Sequence, residues 1–151
     1  MSTAKPAPQH APMNQFPVIA NCLTVGGRAI TDIAADIGST PFYVYDSSLM
    51  TKRVQELRSI LPEQIHLHYA MKANPMPAVV KHLSGLVDGL DVASGGELEV
   101  ALATGINANT ISFAGPGKTE WELSAAIEAG IILNVESETE LRRIARISKT
   151  T

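Results

Sequence analysis

From Ile65 onward the sequence repeats one kind of unit. Apolar runs begin near Ile65, Gly89, Thr110 and Ile131, and each is followed by a stretch of helical spacing, at intervals of about 20 residues. Strands alternating with helices at this spacing build βαβ units around a parallel sheet, because a parallel neighbour can be reached only through a long crossover. The helix ends are marked. Thr119 with Glu122, and Ser137 with Glu140, fit the capping box, in which hydroxyl and carboxylate satisfy free amide donors reciprocally. Gly105 and Gly130 stand where helices should stop, since a left-handed residue past the last turn costs glycine least.

Such a sheet can be open and doubly wound, or part of a (β/α)8 barrel, and periodicity does not separate the two. The strand from Ile65 favours the barrel. Alternation puts Ile65, Leu67, Tyr69 and Met71 on one face and His66, His68, Ala70 and Lys72 on the other. Strands covered by helices on both sides are apolar on both faces, so a face with two histidines and a lysine predicts a polar barrel interior or a site. A complete barrel takes about 250 residues. The 151 residues present supply about four βα units, half a barrel.

Ahead of the repeat, residues 1–21 hold several prolines and no apolar signal-like run, and are expected to form a disordered lead. Residues 22–46 read as a strand (22–25), a Gly26-Gly27 turn, a short helix near 31–37 and a strand at 42–45. Asp46 or Ser47 then caps a helix reaching about Leu61, with Met50, Val54, Leu57 and Leu61 at helical spacing and Pro62 closing it. The barrel part is assigned to residues 47–151.

The charge pattern narrows the function. A net charge of -3, with scattered basic residues, offers no attraction to nucleic acid or an anionic membrane. No run of about 18 apolar residues exists to cross a bilayer. Cys22 is the only cysteine, which rules out an intrachain disulfide and a multi-thiolate metal site and favours the cytoplasm.

Four stretches carry more. Tyr69-Ala70-Met71-Lys72-Ala73-Asn74-Pro75 resembles the YAxKANP-type motif of the pyridoxal-phosphate (PLP) amino-acid decarboxylases of the diaminopimelate/ornithine/arginine decarboxylase family. Asp91-Val92-Ala93-Ser94-Gly95-Gly96-Glu97-Leu98 is similar to that family's DVxSGGEL segment, at the right interval. Phe113 to Lys118, and Asn134-Val135-Glu136-Ser137, resemble the next two strand ends.

The resemblance implies an alanine-racemase-like barrel preceded by a short N-terminal segment of a second, mostly absent β-domain. It implies PLP held as a Schiff base by Lys72, a small amino-acid substrate and a homodimer of the full-length enzyme. The reaction would be decarboxylation, with meso-diaminopimelate giving lysine, because the SGGEL form is closest to the bacterial diaminopimelate enzymes. The family's ring-stacking histidine, phosphate-binding glycines and pyridine-nitrogen partner come later in its sequence, so the 151-residue chain is expected to look truncated and to be inactive alone. An alanine-racemase-like or PLP-carrier barrel, and a non-catalytic partner of a full-length decarboxylase, are the alternatives.

The residues agree with that reading in chemical terms. A lysine of pKa about 10.4 is a poor nucleophile at neutral pH until partly desolvated, which the end of a barrel strand provides. Ala70, small and on the same face as Lys72, leaves room for a ring. Asp91 should face Lys72 from the neighbouring strand, where it could hold an ammonium or a cofactor group; helix capping is its plain alternative. Ser94, before Gly95-Gly96, could bind an anion or act as an N-cap. Glu97 is expected to serve the first helical turn. His66 and His68 lack a third metal ligand at suitable spacing, so no metal is assigned. Gly115-Pro116-Gly117-Lys118 lacks the spacing of a phosphate loop and reads as a βα turn with its lysine near the site mouth. Trp121 should cover a helix edge.

Overall fold

The computed structural model describes residues 14–149. The chain divides into two units, Met1–Leu49 and Met50–Thr151.

In the first unit, β1 (Val18–Ile19), β2 (Cys22–Val25) and β3 (Arg28–Ala29) form an antiparallel sheet in the order β1-β2-β3. Both hairpins turn on two residues of positive φ, Ala20-Asn21 and Gly26-Gly27, the conformation whose twist matches the flanking strands. The Gly26-Gly27 turn was expected; the strand after it was not. β1 lies within the segment read as a lead, and residues 1–13 of that lead fall outside the described residues. Helix α1 (Ile30–Ile37) follows as expected, and Gly38, left-handed, donates its amide to Ala34 O at 2.9 Å to end it. The strand expected at 42–45 forms no ladder among the described residues. Tyr43, 90% exposed, has no pleated neighbour to pack on. Helix α2 (Ser47–Ile60) begins where Asp46 Oδ1 accepts the Ser48 amide at 2.9 Å.

The second unit holds the repeat. Strands β4 (His68–Ala70), β5 (Gly89–Val92), β6 (Ile111–Phe113) and β7 (Ile132–Leu133) pair in parallel, in chain order. Helices α3 (Pro77–Ser84), α4 (Gly95–Ala103), α5 (Glu120–Ala129) and α6 (Glu138–Ile147) alternate with them. Neighbouring helices touch in the same order: α3 with α4, α4 with α5, α5 with α6. A doubly wound sheet reverses its strand order and splits its helices between two faces; this sheet does neither. It is part of a barrel wall.

β4 starts three residues later than the apolar run. Pro62 O captures the Ile65 amide in a turn at 2.9 Å, and the pairing with the next strand begins at Leu67, whose carbonyl accepts from Asp88 N at 2.8 Å. Gly105 and Gly130 adopt the left-handed conformation at the ends of α4 and α5, as their positions suggested.

Alternation sorts the faces. Leu90, Val92, Ile111 and Phe113 point to the helix layer and pack with Met71, Val80, Leu98, Ala101 and Ala126 as one core. Each large side chain removed from water there contributes roughly 1.5–3 kcal/mol. A smaller group of Val54, Val79 and Leu83 seats α2 against α3. The opposite sheet face carries His68, Asp91 and Ser112.

Candidate active site

The site is built where β4 stops. Met71–Ala73 forms a 3-10 turn rather than more strand. Met71 is fully buried and anchors the turn. Tyr69 Oη donates to Asn74 O at 3.0 Å, and Asn74 Oδ1 accepts the Met76 amide at 3.0 Å, directing the chain into α3 with Pro77 in its first turn. Lys72 is therefore not on the strand, as alternation alone required, but on the turn after it. Its side chain still opens beside Ala70.

The register Ala70↔Asp91 and Asp91↔Ser112 sets three strand ends level. Ser112 Oγ donates to Asp91 Oδ1 at 2.6 Å, and His68 Nδ1 lies 3.1 Å from the same oxygen. Ala70, Lys72 and Asp91 line one cleft of about 320 Å³ with Ser112 and Asn134, near the lower end of the range for small-molecule sites. Val92, Ala93 and Ala114 complete it. Three alanines leave flat space, and a primary amine, a carboxylate, a hydroxyl and an amide converge on it. That set fits a planar aldehyde cofactor with hydrogen-bonding substituents. Lys72 is the only cation in the lining.

Ser94 does not line the cleft. Its Oγ accepts the Glu97 amide at 3.3 Å, and Glu97 reaches back to Ala93 N at 2.7 Å, so both serve the start of α4. The Thr119/Glu122 capping box is complete. Glu140 reaches one residue farther, to Glu136 N at 2.8 Å, while its amide donates to Ser137 Oγ at 3.1 Å.

These acidic residues also tie each loop to the next. Glu122 Oε1 accepts from Gly95 N at 2.8 Å, and Glu136 accepts from Gly115 N. The Thr119 amide, ahead of the cost of burial, and then the Gly95 amide hold the Glu122 carboxyl below its ordinary pKa. Trp121 covers Gly95 so closely that a methyl group there would come 2.0 Å from the ring, although the indole stays 59% exposed. Lys118 corrects an expectation. It is buried away from the cleft, paired with Glu140 at 2.9 Å, donating to Gly115 O and lying 5.8 Å from the Phe113 ring centre.

Sequence reasoning thus placed Lys72, Ala70 and Asp91 together and set His68 on the same face without giving it a role, but missed Ser112 and Asn134 as companions in the lining. Ser112 had a signal: it is the one polar residue between Ile111 and Phe113, at inward parity.

Comparison with known proteins agrees with this geometry. The family model described as pyridoxal-dependent decarboxylase, pyridoxal binding domain, matches residues 47–151. A diaminopimelate decarboxylase of Aquifex aeolicus is 42% identical over 120 residues, covering 79% of this chain and 28% of the relative. Among solved structures, diaminopimelate decarboxylase from M. jannaschii in complex with L-lysine superposes with a TM-score of 0.78 at 28% identity, covering 91% of this chain and 33% of that one. The Helicobacter pylori enzyme complexed with L-lysine gives 0.70 at 33% identity, covering 80% and 31%. The chain spans under a third of the length of that Aquifex relative.

Proposed function

Because the chain belongs to the pyridoxal-dependent decarboxylases, through their pyridoxal-binding domain, we propose that it provides the Lys72-bearing wall of an enzyme that decarboxylates meso-diaminopimelate to lysine. The observation that carries this reading is the convergence of Lys72, Ala70 and Asp91 on one cleft at the C-terminal end of a parallel sheet, the end at which barrel enzymes act. The relatives named for diaminopimelate support the choice of substrate over ornithine.

Each residue has a task. Lys72 Nζ, on a turn fixed by buried Met71, presents a primary amine that can condense with an aldehyde carbon, the carbonyl oxygen leaving as water. Ala70, with Ala93 and Ala114, keeps the wall low enough for a ring. Asp91 offers a carboxylate toward the cleft, able to orient the lysine ammonium or a protonated ring substituent. Ser94 acts through the first turn of α4, behind Asp91 and Ala93. When bound, PLP supplies the electron sink that decarboxylation requires.

Lys72 is the one cation in the lining and would be used by the aldehyde, which leaves a phosphate's charge unmatched there, so residues from beyond this wall would complete the site. The homodimer implied by the resemblance, and a cytoplasmic site of action, belong to the same reading. The test is release of labelled carbon dioxide from carboxyl-labelled diaminopimelate, ornithine and arginine, by the PLP-loaded chain alone and mixed with the remaining polypeptide of a homologous decarboxylase. The expected result is no turnover alone, and Lys72-dependent release from diaminopimelate in the mixture. Preference for ornithine, or release that survives Lys72→Ala, would refute it.

A further inference from the structure

We infer that His68 and Ser112 are positioning residues: together they clamp Oδ1 of Asp91, so that its second oxygen is aimed, in a fixed orientation, into the Lys72 cleft. The inference rests on the proposed cofactor role of that cleft and deepens it.

Two side chains meet at one oxygen. Ser112 Oγ lies 2.6 Å and His68 Nδ1 3.1 Å from Asp91 Oδ1. Among the described residues nothing donates to Oδ2. A carboxylate rotates freely about its last bond unless both of its lobes are held or one is held twice. Donors from β4 and β6, on either side of β5, do the latter. Asp91 and Ser112 both line the cleft, so the held group borders the space it serves.

The sheet makes room for this. His68 pairs in register with Gly89, two residues before Asp91 on the same face. A methyl group on Gly89 would stand 2.5 Å from the imidazole Cε1 and 2.3 Å from Thr110 O. Only a bare Cα lets the ring lie flat across β5 and bring Nδ1 to Asp91. The glycine, the histidine and the aspartate therefore form one device, at strand positions where an ordinary barrel wall would carry aliphatic side chains.

An ionised carboxylate only accepts, so the contact requires a proton on His68 Nδ1. The proposal is tested on the full 151-residue chain in two steps. The first is a long-range nitrogen-proton correlation spectrum of the histidines without PLP: Nδ1 of His68 should be protonated and should shift on Asp91→Asn. An unprotonated Nδ1, or no shift, overturns the clamp.

The second is the rate at which borohydride fixes PLP onto Lys72, read by peptide mapping. His68→Phe, which keeps a ring over Gly89, and Ser112→Ala should each slow fixation about tenfold, as loss of a hydrogen bond to a charged group does. Ser112→Thr, which restores a hydroxyl, should recover the rate, and in an Asp91→Ala background neither change should matter. Effects that persist without Asp91, or no effect in its presence, overturn the inference and leave the cofactor reading standing. No selective fixation on Lys72 in the unaltered chain overturns the cofactor reading, and the inference with it.

Discussion

Lys118 Nζ sits 2.9 Å from Glu140 Oε1 with the two side chains only 1% and 6% exposed, joining the loop after β6 to the first turn of α6. Burial pushes the Glu140 carboxyl up, but the Glu136 amide and the Lys118 ammonium outweigh it and hold it below its ordinary value. The Glu140 carboxyl is therefore charged in the folded chain at neutral pH. Removing Lys118 strands it.

Lys118→Met should accordingly destabilise the second unit by about 3–5 kcal/mol, the usual cost of orphaning a buried charge. The double change Lys118→Met with Glu140→Leu should recover much of that loss. Urea unfolding followed by circular dichroism measures both. Equal stability of the single and double variants would contradict the stranded-charge account.

Gly89→Ala should cost about 1–3 kcal/mol, the range for overpacking a tight site, because its methyl group would press on Thr110 O and on the His68 ring. The same variant should displace the His68 resonances while leaving those of His82, which bonds Thr51 at 2.9 Å, in place. Thermal melts and a histidine spectrum report the two effects separately.

Leu90→Ala removes a fully buried side chain from the sheet-helix core and should destabilise by about 2–5 kcal/mol. Leu141→Ala, on the exposed side of α6, should change stability by less than about 0.5 kcal/mol, as surface substitutions do. Denaturant midpoints for the two variants test whether the helix layer packs as described.

Glu122 should make stability depend on acid. Its folded pKa lies below the ordinary 4.5, chiefly through the Thr119 amide. A depressed carboxyl contributes stability that is fully present above the unfolded value and is lost as pH falls through the folded one. Glu122→Gln should thus weaken the chain at neutral pH and flatten the stability curve below pH 4.5. A variant curve parallel to that of the unaltered chain would contradict this.

Much of this was legible in the residues. Periodicity, the Thr119 box and the glycine stops marked the βα repeat, because backbone accounting forces particular residues to helix ends. The barrel rather than the open sheet came from one strand, whose inward histidines and lysine made no sense under a second helix layer. Alternation failed at Lys72, where the anchoring of Met71 and the prolines beyond it curl the chain into a 3-10 turn; parity holds only while a ladder continues. It failed at Phe42–Tyr45 for the same reason, since β propensity makes no strand without a neighbour. Lys118 was misplaced because its partner, Glu140, lies 22 positions on, in a contact that only the folded packing of α6 creates. Ser112 and His68 were visible as inward polar residues, but their convergence on Asp91 depends on register, which spacing does not fix.

The most direct test of the account is the absorbance spectrum of the purified chain mixed with PLP, before and after borohydride reduction, with Lys72→Ala alongside. The account predicts a new band that reduction fixes to the protein only when Lys72 is present. A spectrum identical for the two proteins, with nothing fixed at residue 72, would contradict it.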